Sequence, residues 1–282
     1  FVLALEERIV GPHGEMTTPC FGGYRFGNRY FRCWEEGGHG ALDLEQALVR
    51  SCDTYFYQLA ELITVDRLAA EARSAGLGAA TGVDLPQELT GNVPDAAWFD
   101  RRYGRGRWTR GSLLNLVIGQ GEYLVTPLQM VRYAAALANG GRLPTPTLVR
   151  AIESPQGEIL PRAVPPAANW ELAPGVRAAV REAMRLVVAD DEGTGRGIRR
   201  EGLPSAGKTG TSENPHGPPH SWYVGYAPAD GPRIAFSVVI EGGGHGSDMA
   251  VPLARQPLRR YARGRTTPWP PGVDFQNSRP MR

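Results

Sequence analysis

Apolar positions fall into three regimes along the chain. Between Ala41 and Ser74 they recur at helical spacing: Leu42, Leu44, Ala47 and Leu48, then Tyr55, Phe56, Leu59, Ala60, Leu62 and Ile63. Ser51-Cys52-Asp53-Thr54 interrupts the run, and Asp53 or Thr54 is placed to cap the helix that follows. Val65–Ser74 reads as a further helix, stopped by Gly76 and Gly78. The helical period returns after Thr126-Pro127, an N-cap followed by a first-turn proline, and runs to about Asn139 before Gly140-Gly141. It appears again over Gly175–Val188, and Phe1–Val10 also reads as helix.

The second regime is extended. Ser205–Ser212, Ser221–Ala227 and Arg233–Glu241 predict an antiparallel meander, with a turn at Pro228-Ala229-Asp230-Gly231-Pro232 and a closing helix over Ser247–Ala262. Thr147–Glu153 and Glu158–Leu160 read as two short strands around a Pro-Gln-Gly turn. The third regime has no period. Residues 11–38 form an irregular excursion rich in Gly, Pro and aromatics, residues 81–110 read as loop, and the Pro/Arg-rich tail after Gly264 is expected to be disordered. The result is an α+β chain, an antiparallel sheet flanked by helices, with one domain over residues 1–262 and a tail over 263–282.

Composition narrows this only slightly. With 41% hydrophobic and 21% charged residues in 282, the chain can bury a large core. The net charge of +2 gives no global field for nucleic acid or acidic lipid. The local cluster Arg101, Arg102, Tyr103, Arg105, Arg107, Trp108 and Arg110 has no companion motif, so it reads as a solvated loop and no nucleic-acid partner is expected. No apolar run reaches the roughly 18 residues of a membrane span. There is no signal-peptide pattern and no initiating Met, so the chain reads as a piece of a longer protein.

The chemistry concentrates around one residue. Lys208 is the only lysine; every other basic side chain apart from histidine is arginine. An ammonium is a compact point charge whose pKa can be shifted, a property the guanidinium lacks. It sits in Ser205-Ala206-Gly207-Lys208-Thr209-Gly210-Thr211-Ser212-Glu213, where Gly207 and Gly210 are expected to leave backbone bare for a ligand. Acyl transfer by a serine enzyme needs a nucleophile, a base, a proton relay and an oxyanion hole. Ser51, with Asp53 beside it, is a candidate relay, and Lys208 can hold the proton balance and an anionic substrate terminus. Thr209, Gly210, Thr211 and Ser212 are candidate substrate-binding positions, with strand N–H groups near Thr211 and Ser212 for an oxyanion.

The odd number of cysteines leaves three readings: a metal site, one disulfide with a free thiol, or three free thiols. The spacing Cys20-x12-Cys33-x5-His39-x12-Cys52 uses every cysteine, and three thiolates with an imidazole make a common closed zinc set that would pin the irregular excursion. With no C-x-x-C knuckle, the spacing alone favours an ordinary Cys20–Cys33 disulfide with Cys52 as a small buried hydrophobe. His13, His216, His220 and His245 have no ligand-like neighbours and read as loop residues.

Several motifs occur together in a family order: Trp34-x-x-Gly37-Gly38-His39-Gly40, Ser51-Cys52-Asp53-Thr54-Tyr55-Phe56-Tyr57-Gln58, Ile118-Gly119-Gln120-Gly121, Thr126-Pro127-Leu128-Gln129-Met130 and Lys208-Thr209-Gly210-Thr211. Over residues 1–260 the chain resembles the transpeptidase domain of class B penicillin-binding proteins, and within them the penicillin-binding protein 2 group of the cell-elongation machinery. The resemblance implies a penicillin-binding/serine β-lactamase-like fold and a serine D,D-transpeptidase that acylates on D-Ala-D-Ala stem peptides and is trapped by β-lactams. It implies partners such as an SEDS glycosyltransferase, and a periplasmic domain of an inner-membrane protein whose anchor is not in this chain.

On this pattern Ser51, Asp53 and Lys208 line the catalytic cleft. Thr209 and Thr211 face the substrate carboxylate, and the Ser212 N–H is one oxyanion donor. The resemblance also favours the zinc reading, because some relatives carry a metal site at this corner; Cys33, His39 and Cys52 align directly and Cys20 with a small gap. The family nucleophile lies in S-x-x-K, which the alignment puts just upstream of Phe1 with two sheet strands. The chain as given is therefore expected not to acylate. The same fold would also suit a serine β-lactamase, a D,D-carboxypeptidase or a non-catalytic β-lactam sensor or docking module.

Overall fold

The computed structural model describes residues 1–161, 165–199 and 203–264, and beyond these only the backbone pairing of Val273–Asp274 with Arg279–Pro280. The tail expected to be disordered otherwise lies outside the described residues. In chain order the elements are α1 (Val2–Glu6), β1 (Gly23–Phe26), β2 (Arg29–Arg32), α2 (Leu44–Val49), α3 (Asp53–Ala60), α4 (Val65–Ser74), α5 (Ala96–Tyr103), α6 (Gly111–Val117) and α7 (Pro127–Asn139). Then follow β3 (Arg142–Leu143), β4 (Ile152–Glu153), β5 (Ile159–Leu160), β6 (Ala168–Asn169), α8 (Pro174–Ala189), β7 (Ala206–Ser212), β8 (His220–Ala227), β9 (Ile234–Ile240) and α9 (Ala250–Ala262).

The expected meander is the β7-β8-β9 sheet, antiparallel throughout, with Lys208 opposite Val224 and Gly225 opposite Phe236. Its middle strand is buried on both faces: Tyr223, Tyr226 and Ala227 are fully enclosed, Tyr223 against Val251 and Ala254 of α9, and Tyr226 in a core shared with Leu44, Ala47, Tyr55 and Leu137. Buried Ser221 ties the closing helix to the sheet by accepting from Ala250 N (3.0 Å) and donating to His245 O (2.8 Å). That helix starts at Ala250, three residues later than expected.

Helix α7 follows its sequence signal closely. Thr126 accepts from Gln129 N while the Gln129 side chain accepts from Thr126 N, a capping box behind Pro127, and the helix ends at left-handed Gly140. Gln129 is almost fully buried, and its Nε2 also donates to Ala79 O and Thr90 O, both at 2.8 Å. One amide thereby satisfies three backbone groups, staples two loops to the helix and leaves no buried donor unpaired.

Several expectations need correction. The helix read over Phe1–Val10 ends at Glu6, and Arg8 turns left-handed (φ 55°). Residues 81–110, read as loop, contain α5, which Asp95 caps by accepting from Trp98 N (2.7 Å). The arginines there mask an aromatic pattern in which Phe99 stacks on both Tyr103 and Trp108. Of Thr147–Glu153 only Ile152–Glu153 is strand; Thr147, Leu148 and Val149 instead bind the Asp84 carboxylate. The irregular excursion contains the β1–β2 hairpin, whose turn is Gly27-Asn28 with Gly27 at φ 58°. Gly-Asn between alternating apolar positions is the signal that identifies it.

Candidate active site and metal cluster

Helix α2 ends in a Schellman turn. Cys52 N donates to Ala47 O (2.8 Å) and Ser51 N to Leu48 O (3.2 Å), which puts Ser51 at the left-handed position with φ 57°. Glycine normally occupies that place, because a Cβ there costs about 1 kcal/mol. The turn aims the Ser51 hydroxyl at β7, where Lys208 Nζ donates to Ser51 Oγ at 2.8 Å and to Thr209 O at 2.9 Å. Trp34 clamps the same turn from the other side, its Nε1 donating to Ser51 O (2.9 Å) and Arg50 O (3.1 Å).

Asp53 does not cap α3. It occupies the first turn of that helix, Cys52 takes the cap position, and the Asp53 carboxylate accepts from Trp34 N at 3.1 Å. Burial raises the Asp53 carboxyl to about 7, with the nearby Cys33 sulfur adding to the rise and Lys208 opposing it. Burial likewise lowers the Lys208 amine to about 8, against the pull of Asp53. An amine so poised, in contact with a hydroxyl, can take a proton from it or give one back near neutral pH.

Backbone alternation sorts the β7 positions. Lys208 Nζ reaches Thr209 O, Gln120 Nε2 donates to Thr211 O (2.7 Å), and Glu213 N donates to Gln120 Oε1 (3.0 Å). The backbone groups of 209, 211 and 213 therefore face the free edge, and those of the alternate residues, Ser212 included, turn toward β8. The Ser212 N–H expected as an oxyanion donor is thus in the ladder, and Thr211 carries the free N–H; the Ser212 hydroxyl accepts from Trp222 Nε1 (3.2 Å).

Of the β7 glycines, Gly207 is not bare for a ligand: a Cβ there would meet Tyr223 Oη at 2.4 Å, so protein packs on it. At Gly210 a Cβ would meet only Trp222, 3.2 Å from its Cβ. Thr211 Oγ1 accepts from Gly246 N (3.3 Å), and Thr209 Oγ1 donates to Thr194 Oγ1 (2.7 Å).

On the far side of the Ser51 turn, Cys20, Cys33, His39 and Cys52 converge, their ligand atoms all within 4.8 Å of one another, and the three cysteines are free thiols. His39 Nδ1 lies 3.5 Å from Cys33 Sγ and 3.6 Å from Cys20 Sγ. A tetrahedral ion with Zn–S and Zn–N bonds of ordinary length separates N and S by about 3.6 Å. The donor set fits a metal of that kind.

The thiols are tuned accordingly. A hydrogen bond from Cys52 holds Cys33 far below the usual thiol range, burial and His39 acting in opposite senses, while the same pairing drives Cys52 upward. Burial opposes the Cys20 thiolate, but contacts with Thr54, His39 and Gly22 outweigh it. The second buried ring nitrogen, His39 Nε2, has no hydrogen-bond partner among the described residues, and the ring packs edge-on against Trp34. Of the four histidines read as loop residues, His13 pairs with Asp43 and His220, at the start of β8, accepts from Gly242 N.

With this geometry in view, the chain matches the penicillin binding protein transpeptidase domain over residues 2–259. The chain belongs to that family. It is 33% identical to the peptidoglycan D,D-transpeptidase MrdA of Haemophilus influenzae, over 92% of this chain and 42% of that protein. Penicillin-binding protein 2 of Pseudomonas aeruginosa, solved in complex with WCK 5153, superposes with a TM-score of 0.81 at 30% identity, covering 99% of this chain and 59% of that one. The Helicobacter pylori penicillin-binding protein 2 in its complex with MreC gives a TM-score of 0.81 at 29% identity, covering 94% and 48%. The chain thus spans under half the length of the curated relative, and its α+β fold is the penicillin-binding transpeptidase fold. No helix among the described residues is long and apolar enough to cross a membrane.

The structure brings Ser51, Lys208 and Thr209 into contact, with Asp53 close enough to act on the Lys208 charge and Thr211 further along the same strand. It adds Gln120, Thr194 and Trp34. Gln120 and Trp34 lie inside recognised motifs but had no assigned role; Thr194 carries no sequence signal, since only the fold sets it against Thr209.

Two outcomes follow. Ser51→Gly and Ser51→Ala both lose the hydroxyl, but only alanine keeps a Cβ at φ 57°, so the glycine variant should be more stable than the alanine variant by about 1 kcal/mol in urea unfolding; equal midpoints would show that the turn carries no strain. The lowered amine of Lys208 means that the folded state binds fewer protons than the unfolded state between about pH 8 and 10.5. Stability owed to this residue is therefore lowest below pH 8 and rises through that window. The difference in urea midpoint between wild type and Lys208→Met should increase from pH 8 to 10.5, and a constant difference would refute the assignment.

Proposed function

We propose that this domain supplies the acyl-transfer cleft of a peptidoglycan D,D-transpeptidase. The observation that carries the reading is the contact of Lys208 Nζ with Ser51 Oγ at 2.8 Å beside the free edge of β7. An extended stem peptide ending in D-Ala-D-Ala pairs with that edge as an added strand, its terminal carboxylate near the Lys208 charge and the Thr209 and Thr211 hydroxyls. The serine of an S-x-x-K motif, placed by the resemblance before Phe1 in the longer protein, attacks the penultimate carbonyl. The Thr211 N–H stabilises the oxyanion.

The C–N bond breaks, and the departing D-Ala amine takes the serine's proton through the Ser51–Lys208 pair. An acceptor amine then attacks the acyl carbonyl, the serine oxygen leaves, and the amine's proton returns to it by the same route. β-Lactams stop the sequence at the acyl-serine. A hydroxyl bonded to a lowered lysine amine also fits a nucleophile–base pair, so the site of modification decides between Ser51 as relay and Ser51 as nucleophile.

Cys20, Cys33, His39 and Cys52 hold a structural zinc in this reading. The ion supplies a rigid cross-link with all four positions filled by protein. Since Cys52 lies between Ser51 and Asp53, the link braces the cleft wall. The domain works on the periplasmic side of the inner membrane, with an SEDS glycosyltransferase and an MreC-like scaffold as partners.

Native mass spectrometry of this chain joined to the sequence that precedes it tests the assignments. With excess benzylpenicillin a stable penicilloyl adduct is expected on the S-x-x-K serine and to vanish when that serine becomes alanine. An adduct on Ser51 would overturn its relay role, rapid hydrolysis would indicate a β-lactamase, and no adduct on folded protein would leave a docking module. Without drug, one zinc per chain should be present, be released by dilute acid, and be lost in Cys33→Ser with a fall in melting temperature; a mass two protons light with no metal would mean a disulfide instead.

A further inference from the structure

The β1–β2 hairpin has two unlike faces. Its register pairs Tyr24 with Phe31 and Phe26 with Arg29, and Tyr24, Phe26 and Phe31 turn inward onto the core around Tyr57, Phe99 and Leu113. Alternation puts Gly23, Arg25, Tyr30 and Arg32 on the opposite, outer face. Cys33 N donates to Gly22 O (3.0 Å), which prolongs the ladder by one residue. Cys33 faces inward to the metal cluster, and Trp34 follows in the bend beyond the strand, its ring against His39. Arg25, Tyr30 and Arg32 thus form a patch on the outer face.

No ion pair or side-chain hydrogen bond among the described residues requires the Arg25 and Arg32 side chains of this patch. Tyr30 is 50% and Trp34 51% exposed, and both arginines are exposed. Gly23 is open toward Tyr30, since a Cβ there would lie 2.6 Å from the ring; the aromatic covers its partner strand because that position is glycine. The chain's net charge is only +2, so these unpaired charges are a local feature.

The strand carrying Tyr30 and Arg32 runs on, two residues later, to the tryptophan beside the site. Trp34 donates to Ser51 O, one bond from the residue that contacts Lys208, and it walls an open cleft of about 150 Å³ lined also by Glu35, Gly38, His39, Arg50 and Glu192. Arg50 and Glu192 form an ion pair across that cleft.

We propose that the outer face of the hairpin is a docking track for the carboxylate-bearing glycan strand whose stem peptides are cross-linked; this rests on the transpeptidase reading. Exposed aromatic rings stack on the C–H faces of sugars, and free guanidinium forks bind carboxylates in a bidentate manner. The outer face presents both, a tyrosine between two arginines, and the polymer carries both sugar rings and acidic peptides. Arg25, Tyr30 and Arg32 make no contact with the Ser51–Lys208 pair, so acylation by a small β-lactam does not depend on them.

The test uses this chain with its preceding sequence. Co-sedimentation and fluorescence titration are run with uncross-linked glycan chains carrying free stem peptides, with the same chains stripped of peptide, and with phosphatidylglycerol vesicles. The double variant Arg25→Glu/Arg32→Glu should bind the peptide-bearing chains at least about tenfold more weakly. Tyr30→Ala should weaken binding to both glycan forms, and benzylpenicillin acylation should keep its wild-type rate in all variants. Arg25→Lys/Arg32→Lys, which keeps the charge, controls for folding and should recover part of the affinity.

Unchanged affinity in the charge-reversal variant would overturn the track, as would equal affinity for stripped chains, or binding to vesicles and not to glycan. If the unmodified protein binds glycan but is not acylated, the transpeptidase reading fails and the surface stands. If it is acylated but does not bind the peptide-bearing chains, the surface fails alone.

Discussion

One tight turn holds this site together. Arg50, Ser51 and Cys52 close α2 in a Schellman arrangement, and the left-handed Ser51 lets the groups of two adjacent residues face three ways. The Ser51 hydroxyl meets the only lysine, its carbonyl takes the indole proton of Trp34, and the next side chain enters a sulfur-imidazole cluster. A serine where glycine is easier is a local cost of the kind that clusters at functional positions. The surrounding contacts over-determine it: the sheet holds it from one side, the tryptophan from another, and the cysteine from beneath.

Electrostatics in the cleft follow from enclosure more than from any single partner. Burial moves Asp53 up and Lys208 down, each toward its neutral form, and their mutual attraction only partly offsets this. The pair therefore sits where proton positions are nearly balanced. In the adjoining cluster, hydrogen bonding favours thiolate on Cys33 and Cys20 and thiol on Cys52. Both sites use closely packed titratable groups, with the Ser51 turn as the partition between them.

Much of this was legible in the sequence. A single lysine in an arginine-using chain marked β7, the Cys/His spacing marked the cluster, and Thr126-Pro127 marked α7 almost to the residue. What stayed hidden was set by distance or by competing signals. Gln120 acts on a strand more than ninety residues away, and Thr194 is recruited by fold alone. Which strand N–H faces outward depends on ladder register, which the letters do not carry; that moved the free donor from Ser212 to Thr211. The arginines of 101–110 drew attention from the aromatic spacing that makes α5 a helix, and the abundance of glycine in 11–38 concealed a two-residue hairpin turn.

The contact of Gln120 with β7 bears on how the molecule behaves in a crowd of its own copies. An unpaired strand edge with Thr209, Thr211 and Glu213 facing outward is a template for any other extended chain, a neighbouring copy included. The Gln120 amide fills the last position of that edge with the donor and acceptor that a foreign strand would bring. A peptide reaching past Thr211 must displace a contact already well made, so only a ligand with further anchorage near Lys208 has reason to succeed. The side chain works as a guard against self-association, leaving the edge open to peptides while making it poor company for β-aggregation.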